Sequence, residues 1–171
     1  SVSFFELKAG EKLHVPVSLR ALPESPMTGV KISLEPSVES LEGDRLTLSS
    51  LAENGLVMIW MEPGREPTRH LLNDLPGLKK EFDGWDGRFV FLVDPAKTPV
   101  DFSPGSVAGA PGKTIFASDP GLRLLQTLSR STTHARALPV VLYCNSRGEV
   151  LFSSEGYRIG TGQQILKKIR E

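Results

Sequence analysis

The chain is 171 residues long, enough for one domain with a sizeable core and a small extension. Lysine plus arginine and aspartate plus glutamate both number 20, so the formal charge is zero and the basic footprint of a nucleic-acid or anionic-lipid binder is missing. No apolar run nears the ~20 residues a membrane-spanning helix needs, and a single cysteine, Cys144, excludes an internal disulfide, a CxxC pair and a multi-cysteine zinc site.

One cysteine fits either redox compartment. No signal-peptide pattern is present and the chain starts at Ser1, as a processed secreted protein or a piece of a longer chain would. The 13 prolines and 16 glycines are spread along the chain, which predicts many turns and no low-complexity tract.

Residues 1–34 read as β structure. Leu13, Val15, Val17 and Leu19 alternate with His14, Pro16 and Ser18, and Pro16 makes the run an edge strand. Pro23, Pro26 and Gly29 mark residues 21–29 as a linker, so residues 1–29 are expected to form a β-hairpin extension and linker ahead of a domain at 30–171. A short strand is expected at Val30–Leu34. Val38, Leu41 and the turn Glu42-Gly43-Asp44-Arg45, then Leu46, Leu48 and Leu51, predict a hairpin followed by a helical turn.

Leu56 to Met61 is a continuous apolar run of strand length, the pattern of a central strand covered on both faces. Pro67 suits the first residue of a helix, and Leu71, Leu72, Leu75, Leu78 and Phe82 supply its buried face. Pro76 should kink that helix, and the Asp83–Gly87 cluster should end it. Phe89–Val93 is a second buried strand, residues 94–112 a loop, and Thr114–Ala117 a third strand. A helix starts at Asp119-Pro120 and runs to about Arg130. Val140–Cys144 and Glu149–Ser153 flank a tight turn, and Gln163–Arg170 closes the chain as a helix burying Ile165, Leu166 and Ile169. The fold class is therefore α/β, a central sheet with helices on both faces.

Three local patterns could carry chemistry. Cys144 is the only thiol; ending an apolar strand, it reads as a small buried hydrophobe, with His134 a loop away as the one nearby imidazole. Glu66, His70 and Asp74 share one helix face at i, i+4 and i+8, which suits either part of a metal site or a solvated face near the positive helix end. The stretch from Ala108 to Thr114 looks like a phosphate loop, but Val107 stands where the first glycine is needed and Thr114 opens a strand, so it is rejected.

The chain from about Glu35 to Glu171 resembles a thioredoxin-like domain of the TlpA/peroxiredoxin type. Three stretches carry the resemblance: LEGDRLTLSSLAENGLVMIW at 41–60, the strand–loop–helix from Trp60 to Leu75, and ALPVVLYCNSRGEVLFSSEGY at 137–157. It implies a mixed central sheet, a cis-proline at Pro139 opening the fourth strand, a turn ending at Gly148, and a loop at Gly156 beside the active-site loop.

Placing Pro67 on the proline of a CGPC motif puts Arg65 and Thr68 where the cysteines would stand, with Glu66 between them. Neither can supply a thiolate, and no peroxidatic cysteine is present in this loop. The resemblance thus implies a redox-inactive domain with no catalytic residue there, no metal site and no cofactor. In the family, an extended substrate pairs with the backbone before the cis-proline. Here that groove would comprise Trp60, Leu138, Pro139, Gly156, Tyr157 and Arg158 facing Arg65–Thr68, and a protein or peptide would be its partner. The groove could equally be vestigial or covered by a neighbouring domain. The chain is also similar to C-terminal domains of bacterial surface proteins that bear a transglutaminase-like domain, which implies a periplasmic or extracellular setting and an upstream domain of the same chain as partner. The other function class kept open is a thiol-dependent oxidoreductase or peroxidase using Cys144.

Overall fold

A computed structural model describes residues 27–107, 109–111, 113–129 and 137–171. The expected hairpin at 1–20 and most of the following linker lie outside these residues. The described part of the linker packs onto the domain: Met27 is buried in the core, and the Gly29 N–H donates to the Val150 carbonyl at 2.8 Å.

The centre of the molecule is β3 (Leu56–Met61), all six residues of which are buried. It is enclosed because β4 (Arg88–Val93) pairs with it in parallel and β6 (Val140–Cys144) pairs antiparallel on its other side. Outward from β4 come β5 (Thr114–Ser118, parallel), β1 (Ser37–Ser40) and β2 (Arg45–Thr47), while β7 (Val150–Glu155) lies beyond β6. The sheet is therefore mixed and seven-stranded, in the order β2-β1-β5-β4-β3-β6-β7.

Strand alternation divides the core into two layers. Leu56, Met58 and Trp60 face one side with α1 (Leu48–Leu51) and α4 (Arg123–Ser129). Val57, Ile59 and Met61 face the other with α2 (Glu66–Asp74), α3 (Lys79–Asp83) and α5 (Thr161–Arg170). A strand covered on both faces has no room for polar side chains, which explains the unbroken apolar run.

The expected helix over residues 67–82 is present in two pieces. α2 ends at Asp74, a 3-10 turn spans Pro76–Leu78, and α3 resumes at Lys79, because Pro76 offers no amide proton to continue the ladder. Leu71, Leu75 and Phe82 are buried as the spacing requires, and Leu72 and Leu78 are half-buried.

Three expectations need correction. Val30–Leu34 is not a strand; among these residues only Lys31 forms a bridge, to Glu149. The segment instead crosses the β6–β7 turn, where the Ile32 carbonyl lies so near Gly148 that a Cβ there would sit 2.4 Å from it. Pro67 is the second residue of α2, not the first. α5 begins at Thr161, two residues before Gln163, because Gly160 takes a left-handed φ of 84° and serves as its N-cap.

Candidate functional site

The C-terminal end of β3 delivers the chain into the loop Glu62–Arg65, and Arg65 is the N-cap of α2. Arg65 makes no capping bond with its side chain, which turns back so that Nε donates to Glu62 Oε1 at 3.1 Å, largely in solvent. Thr68, one turn into the helix, is fully buried, and its Oγ1 accepts from the Glu62 backbone N–H at 3.3 Å. The two positions that the resemblance aligns with cysteines therefore hold an exposed guanidinium and a buried hydroxyl. The loop is closed by Thr68 through hydrogen bonding, and it contains no nucleophile that could attack a disulfide or peroxide.

Pro139 lies level with the end of β3, from which this loop departs. The Trp60–Val140 pair is the last in the β3–β6 register, so Pro139 and Met61 are the next residues on the two strands. The Leu138–Pro139 peptide bond is cis. Pro139 is buried, Leu138 is half-buried against the α1/α4 layer, and Ala137 is exposed. The Gly156 N–H donates to the Ala137 carbonyl at 2.7 Å, which ties the β7–α5 loop to the segment leading into Pro139.

Trp60 is no part of such a groove. It is fully buried in the α1/α4 layer, and its indole Nε1–H donates to Asp119 Oδ2 at 2.8 Å. The same buried carboxyl group accepts the Leu124 and Leu125 amides at 2.9 and 3.2 Å, so a helix start and the central strand share one anchor. Asp119 was legible only as a helix start.

Tyr157 and the Glu66–His70–Asp74 face, read separately in the sequence, come together. The Tyr157 hydroxyl donates to Asp74 Oδ2 at 3.0 Å, and its ring stacks on His70 with centroids 5.2 Å apart. His70 Nε2 lies 3.4 Å from Glu66 Oε1. The hydrogen bond to Asp74 pushes the Tyr157 phenol above its usual range. Asp74 is thus directed at Tyr157, and among the described residues no three His, Cys, Asp or Glu side chains are arranged to hold a metal ion. Arg158 contributes its carbonyl, which accepts from the Thr161 amide and hydroxyl at the start of α5.

Cys144 lies at the wrong end of the sheet for this loop. It pairs with Leu56, five residues before Met61, so about 17 Å of strand separates it from the α2 end. It is fully buried, and burial pushes its thiol from 9.0 up to about 12. His134, its one sequence-level candidate partner, lies outside the described residues. Thr114 opens β5, which removes the phosphate-loop reading of residues 108–114. A feature without sequence warning is an open hollow of about 480 Å³ between α3 and α5, lined by Leu78, Glu81, Gln163, Leu166, Lys167 and Arg170.

The fold defined by this sheet order, the cis-proline and the split helix layers is thioredoxin-like. Among solved structures, the chain is similar to the exposed lipoprotein thioredoxin of Streptococcus pneumoniae, at 17% identity and TM-score 0.58, covering 78% of this chain and 96% of that one. It is also similar to peroxiredoxin Q of Xanthomonas campestris, at 15% identity and TM-score 0.65, covering 84% and 96%. A putative thiol:disulfide interchange protein DsbE of Chlorobium tepidum matches at 17% identity and TM-score 0.58, covering 82% and 98%. No protein-family model and no curated protein sequence matches the chain. No helix among the described residues is long and apolar enough to cross a membrane.

Proposed function

We propose that this domain is a redox-inactive thioredoxin-like module that holds a protein or peptide segment beside Pro139, within a larger bacterial envelope protein. The observation that carries the reading is the placement of the sole cysteine. The loop at the start of α2 offers Arg65 and Thr68, while Cys144 is buried near the far end of β3 with its thiol pushed up to about 12. Thiol–disulfide exchange and peroxide reduction both begin with an accessible thiolate. What survives is a shape: a helix N-terminus, a cis-proline and the Gly156–Arg158 loop around one end of a sheet, the arrangement to which an extended segment can add.

An envelope setting is supported by the exposed lipoprotein that shares this fold. The same face could instead dock on an upstream domain of the same chain, including a transglutaminase-like one, in which case the module is architectural. The test is a disulfide-reductase and peroxide-reduction assay run on the protein beside Cys144→Ser. No turnover above background in either is the expected result. Turnover that vanishes in Cys144→Ser would overturn the reading and make Cys144 the nucleophile of an oxidoreductase.

A further inference from the structure

The segment Gly156–Gly160 links the approach to Pro139 with the flank of α2. Its first residue donates a backbone hydrogen bond to Ala137, two residues before Pro139. Its second, Tyr157, reaches α2, with its ring on His70 and its hydroxyl on Asp74, the last residue of that helix. Its far root is fixed where the Arg158 carbonyl accepts from Thr161 at 3.1 and 2.7 Å. Both ends are glycines at left-handed φ, 68° and 84°, backbone settings from which a chain can rotate without Cβ strain. Between them Ile159 points outward, 88% exposed.

A segment with glycine pivots, one polar catch and an outward apolar tip has the construction of a strap. A peptide strand that pairs as far back as Ala137 would compete for the carbonyl now held by Gly156, so the strap must shift for such a strand to settle. We propose that Gly156–Gly160 is a displaceable strap over the Pro139 site, and that Tyr157, caught between Asp74 and His70, is the latch holding it down on α2. The consequence for binding rests on the function proposed above; the latch itself does not. Tyr157 acts here as a positioning residue. Its raised phenol, which keeps the hydroxyl a donor to Asp74 across the neutral range, supports that role.

The strap carries its own reporter, since trypsin cleaves after Arg158. Initial cleavage at Arg158–Ile159 and amide exchange of residues 157–160 would be compared in the parent, Tyr157→Phe, Asp74→Ala and the double variant. Tyr157→Phe keeps the ring and loses only the hydroxyl, so the fold is retained; exchange at Val57–Trp60 serves as the check. About tenfold faster strap opening is expected in each single variant, the effect of losing one charge-assisted hydrogen bond, with no further increase in the double. Unchanged strap rates, or strictly additive effects, would overturn the latch. If the strap loosens as expected, a panel of extended peptides should bind Tyr157→Phe more tightly than the parent. Loosening without peptide binding by either protein would leave the latch standing and sink the binding function, so the two failures are distinguishable.

Discussion

Iodoacetamide added to the folded protein at pH 8 meets a single thiol, and the structure sets how fast it should react. A thiol at the ordinary value of 9.0 is about one-tenth thiolate at pH 8, whereas one pushed up to about 12 is thiolate in about one molecule in ten thousand. That difference alone slows alkylation by about a thousandfold. Complete burial of Cys144 adds a requirement for local opening before reagent can approach. Alkylation followed by mass spectrometry, in buffer and in guanidinium chloride, should therefore show a native rate at least about a thousandfold below the unfolded rate. A native rate within tenfold of the unfolded one would refute both the burial argument and the inert reading of this cysteine.

Four further outcomes follow from the same geometry. Replacing Asp119 by alanine orphans the Trp60 indole and two α4 amides, and should cost about 3 kcal/mol in urea unfolding; a loss under about 1 kcal/mol would contradict the anchor. Thr68→Val, close to isosteric, removes the acceptor for the Glu62 amide and should cost about 1 kcal/mol while leaving the far-ultraviolet spectrum unchanged. The pair Arg65→Cys and Thr68→Cys, in a Cys144→Ser background, places thiols three residues apart at a helix start, a Cα spacing of about 5–6 Å that a disulfide can span. Mild oxidant should close that disulfide, and thiols that stay free would show that the loop is not equivalent to a redox loop. Finally, the fold holds Cys144, Tyr143 and Tyr157 in their neutral forms, each pushed above its ordinary value. Because the folded values are raised, that stabilisation is complete below about pH 9 and is lost as pH climbs through the folded values. Urea midpoints between pH 7 and 11 should be level to about 9 and then fall.

Much of the fold was legible because two-sided burial leaves a plain signature. Leu56–Met61 reads as a central strand since a sheet with helices on both faces tolerates no polar residue there. Pro76 announced the break between α2 and α3 through simple backbone chemistry. The errors arose where a partner distant in sequence decides the outcome. Val30–Leu34 has the alternation of a strand, but it crosses the Gly148 turn and forms one bridge. Trp60 sits beside the loop in sequence, yet strand parity sends it into the opposite layer with Leu56 and Met58, and Asp119, 59 residues on, completes its hydrogen bond. Tyr157 and Asp74 lie 83 residues apart, so nothing local marks them as a pair. The helix-face reading of Glu66, His70 and Asp74 grouped residues on one side of α2, while the phenol that contacts His70 and Asp74 came from the other end of the domain.

The most direct measurement is amide chemical-shift mapping on the labelled protein, titrated with a panel of extended peptides in the absence of reductant. Binding beside Pro139 should move Ala137, Leu138 and Val140, the α2 start at Arg65–Thr68, and Gly156–Arg158 together, with one affinity across all three segments. Shifts concentrated instead on Leu78, Gln163 and Leu166, or no shift with any peptide, would contradict a peptide site built on the cis-proline.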